Sequence, residues 1–188
     1  NLPKREGGEV REESYATWSK AVKSLGDGQK LDWEHSLGVR QELLDKYGIQ
    51  SDTVGALALD DHGNLAVGSS TGGLFMKLPG RAGDTPLPGA GLWCTKEIAV
   101  ACTGYGEAFI RSLTARRVEE LFRTGSLPVE AVETALDELW GLTKGRGGII
   151  ALTREGEIAS TYNSDTLPVG LVQDGCVVSD YLPEKLIH

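Results

Sequence analysis

Histidine is scarce in this chain, long apolar runs are missing and basic charge is in deficit, and each shortage removes a class of function. His35, His62 and His188 are the only histidines among 188 residues, and none stands at a strand end or in a glycine-rich setting suited to catalysis. There is no G-x-S-x-G elbow, no H-E-x-x-H pair, no G-x-G-x-x-G after a strand and no P-loop. The common histidine, metal and nucleotide chemistries therefore lack their residues. His62, inside D-H-G-N, reads as a solvated turn residue. No stretch approaches the roughly 18–20 consecutive apolar residues that a membrane span requires, and the start NLPKREGGEVREE lacks the apolar core of a signal peptide. The expectation is a soluble, cytoplasmic protein without a membrane partner. A net charge of −8 and a pI near 4.9 leave no basic stripe, which argues against nucleic acid. Cys94, Cys102 and Cys176 have no metal-like spacing, and their odd number leaves at least one outside any intramolecular disulfide, so buried free thiols are expected.

What the chain does have is glycine, 25 in all, concentrated between residues 55 and 106. At 20.1 kDa it is long enough for one core of ordinary size. A start at Asn1 rather than Met reads as a processed or truncated product. The first dozen residues are polar and charged and read as a flexible arm. Two helices follow, the second marked by Trp33, Leu37, Val39, Leu43 and Leu44 up to a stop at Gly48. At Ser51 the texture changes. TVGALALD and LAVGSS alternate like strands around the turn DHGN, with Asp61, Gly63 and Asn64 supplying turn chemistry, which predicts a hairpin starting at Thr53. The loop LPGRAGDTPLPGAG leads to a buried strand near 98–102. Helices are expected over 107–122 and 128–142, the second with Pro128 in its first turn. GIIALTREGEIAS predicts another hairpin, whose IALTREGEIA echoes LALDDHGNLA, and the two are expected in one sheet system. Residues 167–181 predict one or two short strands.

Hydroxyls, glycines and an Arg/Asp pair gather between residues 53 and 107. Ser69-Ser70-Thr71-Gly72-Gly73 ends one strand, and Thr103-Gly104-Tyr105-Gly106-Glu107 ends another and opens a helix. Both places leave backbone N–H groups beside hydroxyls, the means of holding an oxyanion or a carboxylate. Arg81 and Asp84 stand three apart in a glycine-hinged loop. A guanidinium grips a carboxylate with two parallel bonds and a carboxylate receives an ammonium, so together they suit the two charged ends of a free amino acid. An ordinary surface ion pair is the plainer alternative for that pair alone.

As a set, TVGALALDDHGNLAVGSSTGG, KLPGRAGDTPLPGAG and CTGYGEAFIR resemble the asparaginase family of N-terminal-nucleophile (Ntn) hydrolases. That family includes plant-type L-asparaginase/isoaspartyl peptidase, glycosylasparaginase and threonine aspartase. The resemblance covers residues 53–188, in the manner of the family's β subunit, with 1–52 similar at most to a linker and the tail of the α subunit. It implies autocleavage of the Asp52-Thr53 bond by the Thr53 hydroxyl, freeing an α-amine on Thr53. An α-amine titrates near 7.7–8.0 and can serve as base for its own hydroxyl, which removes the need for histidine. By position, the resemblance makes Thr71 the threonine that bonds around the nucleophile and Arg81 the holder of the substrate α-carboxylate. Asp84 becomes the receiver of the α-ammonium, Thr103 and Gly104 the oxyanion hole, and Gly106 a wall of the pocket.

The implied reaction is hydrolysis of L-asparagine or β-aspartyl (isoaspartyl) peptides through a β-aspartyl ester on Thr53. No cofactor or catalytic metal is implied, with a structural sodium or potassium ion left open. S-T-G-G at 70–73 and G-R-x-G-D resemble the asparaginase/isoaspartyl peptidase branch, and Asp84 argues against threonine aspartase. Asp52 departs from that branch, where glycine is usual, and Tyr105 replaces a smaller residue. The implied fold is a mixed α/β (α+β), four-layer αββα sandwich. Only 52 residues precede Thr53, so much of the α-subunit half is expected to be absent from this chain, and an α segment or chain and an (αβ)2 assembly are the expected partners. Glycosylasparaginase, threonine aspartase and an uncut, inactive binding partner are the alternatives.

Overall fold

Alternation of half-buried and exposed residues in the segment after Ser51 produces a hairpin. A computed structural model describes residues 53–188 apart from 75–76, 78–79, 174, 182–183 and 186–188, together with Ala16, Ser19 and Lys23. The arm and the two helices expected before Ser51 lie outside the described residues, except that Ala16, Ser19 and Lys23 are helical. Contacts divide the chain into two units, and the elements below belong to the one spanning 51–73 and 79–188.

Strands β1 (Val54–Leu59) and β2 (Leu65–Ser70) pair antiparallel, Val54 opposite Ser70 and Leu59 opposite Leu65. The carboxylate that organises their turn is Asp60 rather than Asp61. Asp60 Oδ1 accepts the N–H groups of His62 (2.9 Å) and Asn64 (2.8 Å), Oδ2 accepts from Asn64 Nδ2 (2.8 Å), and Gly63 supplies the left-handed φ of 77°. These bonds, that from the Asn64 side chain foremost, hold the Asp60 carboxyl below its ordinary value. His62 is exposed in the turn.

A five-stranded sheet is built from β3 (Leu92–Cys94), β4 (Ile98–Gly104), β5 (Gly147–Thr153), β6 (Ile158–Tyr162) and β9 (Glu184–Lys185), in the order β3-β4-β5-β6-β9. Its pairings are antiparallel except that of β9 with β6. Strands β7 (Val169–Gln173) and β8 (Cys176–Tyr181) form a separate antiparallel pair. The look-alike hairpins thus belong to two different sheets, a correction to the expectation of one. The reason is the second face. β5 and β6 are buried on both sides and need cover twice, whereas β1 and β2 alternate and have one inward face.

Helices α1 (Gly106–Ser112), α2 (Thr114–Arg123) and α3 (Pro128–Thr143) replace the two expected. The break falls at Leu113, in the left-handed region (φ 48°, ψ 47°). Ser112 Oγ bonds back to the Ala108 carbonyl (2.9 Å) and meets the Thr114 hydroxyl at 2.6 Å. The first N–H groups of α2 then turn to the preceding loop, Arg116 donating to Gly89 O (2.9 Å) and Ala115 to Ala90 O (3.3 Å). α3 begins at Pro128 as expected, and the Glu130 carboxylate caps the Leu127 N–H at 3.1 Å.

Side-chain parity on β4 and β5 arranges three layers. Ile98, Val100, Cys102, Ile149 and Ala151 pack with Phe109, Val118, Leu136 and Leu139 of the helices, all but inaccessible to solvent. Each such aliphatic or aromatic side chain contributes about 1.5–3 kcal/mol by leaving water. Ala101 and Ile150 point the other way, toward the β1–β2 hairpin, where a Cβ on Gly55 would lie only 2.9 Å from that of Ala101. The outer face of the hairpin is apolar and uncovered among the described residues, with Val54 66% exposed and Ala56, Ala58, Ala66 and Gly68 exposed beside it. No helix among the described residues is long and apolar enough to cross a membrane. Cys102 alone of the three free cysteines is buried, while Cys94 and Cys176 are exposed, contrary to the expectation of buried thiols throughout.

Candidate active site

The hairpin lies on the sheet in a direction fixed at its tip. Gly63 faces Arg154, Gly156 faces Leu59, and the Cys94 thiol donates to Leu65 O at 3.5 Å, so the turn sits over the end of the sheet where Ile98 pairs with Thr153. With Gly55 over Ala101 midway, the open end of the hairpin, carrying Thr53 and Thr71, lies toward Thr103 and Gly104. The same parity that turns Ala101 to the hairpin turns Thr103 to it.

At that open end the Thr53 hydroxyl donates to Thr71 Oγ1 at 3.0 Å, and the Gly73 N–H donates to the same oxygen at 2.9 Å. Thr71 Oγ1 accepts twice, so its own proton is left to point elsewhere. Thr53 is half-buried. Asp52, the other half of the candidate scissile bond, lies outside the described residues.

Arg81 and Asp84 do not form the surface ion pair that was the plainer alternative for them. Arg81, its side chain only 6% exposed, is gripped by Glu107: Nε donates to Oε1 and Nη2 to Oε2, both at 2.8 Å. Glu107 foremost, against the opposing effect of burial, holds the guanidinium charged. Sequence reasoning missed Glu107. The available signal was a buried arginine in need of a permanent partner and a carboxylate in the first turn of the helix after T-G-Y-G.

Asp84 is 5% exposed, and its Oδ2 has no hydrogen-bond partner among the described residues. Burial raises its carboxyl above the ordinary value, against the lowering influence of its own backbone N–H, the Arg81 charge and the Thr85 N–H. Its loop is stapled in place: Leu87 donates to Asp84 O (2.8 Å), Gly89 to Leu92 O (2.8 Å) and Cys102 to Gly91 O (2.8 Å). Gly106 leaves room for both charges, because a Cβ there would lie 2.8 Å from Asp84 Oδ1 and 3.0 Å from Arg81 Nη2. Among the described residues no three His, Cys, Asp or Glu side chains gather as a metal site.

A raised carboxyl carries a stability prediction. Unfolded Asp84 ionises near 3.8 and folded Asp84 only at higher pH, so ionisation opposes folding as pH rises from near 4. Asp84→Asn is expected to raise the thermal midpoint at neutral pH, by about 2–4 °C for each kcal/mol relieved, with the gain fading toward pH 4. Parallel melting curves at the two pH values check it, and a midpoint that is unchanged at neutral pH contradicts a raised, buried carboxyl.

Gly104, with φ 142°, could carry no side chain: a Cβ would lie 2.3 Å from Arg146 O. Tyr105 donates its N–H to Arg146 O at 3.0 Å. Ladder alternation therefore sends the N–H groups of Cys102 and Gly104 to the opposite edge. That of Cys102 meets Gly91, while Gly104 extends past the end of β3.

Comparison with known proteins points the same way as these residues. Residues 4–179 match the family described as Asparaginase. The chain is 44% identical over 146 residues to the isoaspartyl peptidase of Escherichia coli, covering 72% of this chain and 46% of that protein. It is 38% identical over 150 residues to the isoaspartyl peptidase/L-asparaginase of Bos taurus, covering 79% and 44%. It is 42% identical over 131 residues to the plant-type L-asparaginase of Pyrobaculum calidifontis, covering 66% and 42%. The aligned part is thus less than half the length of each of these relatives.

Proposed function

This chain belongs to the asparaginase family, and on that premise we propose that it carries the nucleophile of a self-processing amidohydrolase acting on L-asparagine and β-aspartyl peptides. The observation that carries the reading is the convergence at one end of the sheet: a Thr53 hydroxyl bonded to Thr71, a buried Arg81, and an unpartnered Asp84 oxygen. An amino acid whose side-chain amide is to be cut presents an α-carboxylate and an α-ammonium. Arg81 takes the first and Asp84 the second, which supplies Oδ2 with its missing partner. The E. coli and bovine relatives, named for isoaspartyl peptides and asparagine, support this substrate class.

The chemistry begins with the chain's own cut. Attack of Thr53 Oγ on the Asp52 carbonyl carbon shifts the acyl group from nitrogen to oxygen, breaking the 52–53 peptide bond and freeing the Thr53 amine, and water then hydrolyses the resulting Asp52 ester, releasing the upstream segment as a carboxylate and restoring the Thr53 hydroxyl. In the mature form that amine takes the hydroxyl proton, and Thr71, its lone pair held by the Gly73 N–H, turns its own O–H toward the Thr53 oxygen. Thr53 Oγ attacks the β-carbonyl carbon, and the negative oxygen is met by the Thr103 hydroxyl and the Gly104 N–H. Collapse expels ammonia or an amine, which receives the proton. Water, deprotonated by the Thr53 amine, then splits the β-aspartyl ester. The sequence of steps calls for no cofactor. A sodium or potassium ion would serve only to order a loop.

The reading extends to the assembly. The exposed apolar face of β1 and β2 suits a covering layer from an α segment or chain, completing a four-layer αββα sandwich in an (αβ)2 assembly. Ammonia release from L-asparagine and aspartate release from a β-aspartyl dipeptide, measured on full-length protein, test the function. Turnover of at least one is expected, and turnover of neither by protein cut before Thr53 overturns it. Thr71→Val is expected to lower kcat about 10- to 100-fold, the worth of one hydrogen bond to a charged oxygen. Steady-state kinetics check it, with an unchanged kcat as the contrary result.

A further inference from the structure

We propose that Asn163 is a positioning residue for the oxyanion hole, acting through the Gly145–Gly147 segment. The inference rests on the reading of Gly104 as an oxyanion donor. Asn163 follows β6, two strands away from Gly104, and is buried. Its amide spans a segment that neither helix nor sheet satisfies fully. Oδ1 accepts the Gly147 N–H at 2.8 Å, Nδ2 approaches Gly145 O at 3.4 Å, and the Asn163 backbone N–H donates to Gly147 O at 3.0 Å. The orientation of the amide is settled by the Gly147 N–H, a donor that only Oδ1 can accept.

Between the two glycines that Asn163 holds stands Arg146, whose carbonyl accepts the Tyr105 N–H at 3.0 Å. The Gly104–Tyr105 peptide is thereby pinned on the strand edge opposite the one the Gly104 N–H faces. The contact has no slack. Cβ atoms would fall 2.3 Å from Arg146 O at Gly104, 2.2 Å from Thr103 O at Gly147, and 2.3 Å from the Ala108 Cβ at Gly145. Two backbones meet there without side chains between them, so any shift of 145–147 is passed directly to Thr103 and Gly104. Lys144 enters the segment in the left-handed conformation (φ 55°), its N–H donating to Trp140 O (2.9 Å) and that of Gly145 to Thr143 Oγ1 (3.0 Å), and Asn163 takes the Gly145 carbonyl and the Gly147 N–H that these bonds leave.

A donor misplaced by about 1 Å costs about 100-fold in rate. Asn163→Asp keeps size and the acceptor for Gly147, but sets an ionised oxygen against Gly145 O. On the matured fraction of full-length protein, kcat is expected to fall about 100-fold at neutral pH, while affinity for L-aspartate, which rests on Arg81 and Asp84, stays within about threefold. As pH falls, the introduced carboxyl takes up a proton and regains a donor for Gly145 O, so the ratio of variant to wild-type kcat is expected to climb. A ratio near one at every pH, or a flat low ratio with aspartate affinity lost in parallel, overturns the inference. If the variant does not fold, Asn163→Ser takes its place in the kcat and affinity comparison, and failure of both to fold assigns Asn163 to the fold alone and likewise overturns it. Wild-type protein without turnover would overturn the hydrolase reading, whereas an active wild type with an equally active variant overturns only the role of Asn163.

Discussion

Thr53→Ala is expected to remain a single uncut chain and to release neither ammonia nor aspartate above background. The variant deletes the hydroxyl proposed to attack the Asp52 carbonyl, and so removes the cut that would expose an α-amine. Nucleophile and base are lost together. The loss of kcat should accordingly approach the whole catalytic effect, and adding Thr71→Val to Thr53→Ala should lower nothing further, since groups that act as a unit are not additive. Thr53→Ser keeps the oxygen and is expected to retain slow cutting and reduced turnover. Mass measurement and an ammonia assay on the same preparations check the series, and cutting or turnover by the alanine variant removes Thr53 from the mechanism.

Arg81→Ala is expected to raise KM for free L-asparagine about thirty- to several-thousand-fold, the equivalent of about 2–5 kcal/mol for truncating one partner of a buried charge pair. Two losses combine. The substrate carboxylate loses its cation, and Glu107 loses a guanidinium held through two bonds of 2.8 Å. What remains is two carboxylates, Asp84 and Glu107, in a pocket that must admit a third. Glu107 occupies the Nε and Nη2 side of the guanidinium, which leaves the Nη1 end for the proposed substrate carboxylate. Gly83 keeps that end open, since a Cβ there would lie 2.7 Å from Nη1. Arg81→Lys is expected to recover little, because an ammonium cannot serve Glu107 in a fork and the substrate at once. Initial-rate kinetics across a range of asparagine concentrations check this, and an unchanged KM overturns the pocket.

Local chemistry decides which parts of this molecule are legible in its sequence. The hairpin at 54–70, the buried strand at 98–104, the hairpin at 147–162 and the Pro128 helix all announce themselves through alternation, turn residues or a proline at the first helical position. The candidates Thr53, Thr71, Arg81, Asp84, Thr103, Gly104 and Gly106 are named from motifs. What holds them cannot. The break at Leu113 depends on α2 donating to Gly89 and Ala90, a contact between distant segments that leaves no period in the sequence. Glu107 is 26 residues from the arginine it grips, and Asn163 is 16 from the glycine it supports. Parity within a strand is local, but the choice of sheet is not, which is why similar hairpins part company. Asp60 outranks Asp61 in the turn because only its side chain folds back over the backbone of residues 62 and 64.

Thr53 acts here only by becoming an N-terminal nucleophile, and intact mass of the purified full-length protein is the test of that proposal. A fragment whose first residue is Thr53 is expected, and, on acid quenching during turnover of L-asparagine, the same fragment with one β-aspartyl group added. A single uncut chain that nevertheless releases ammonia, or an adduct on any residue other than Thr53, would contradict it.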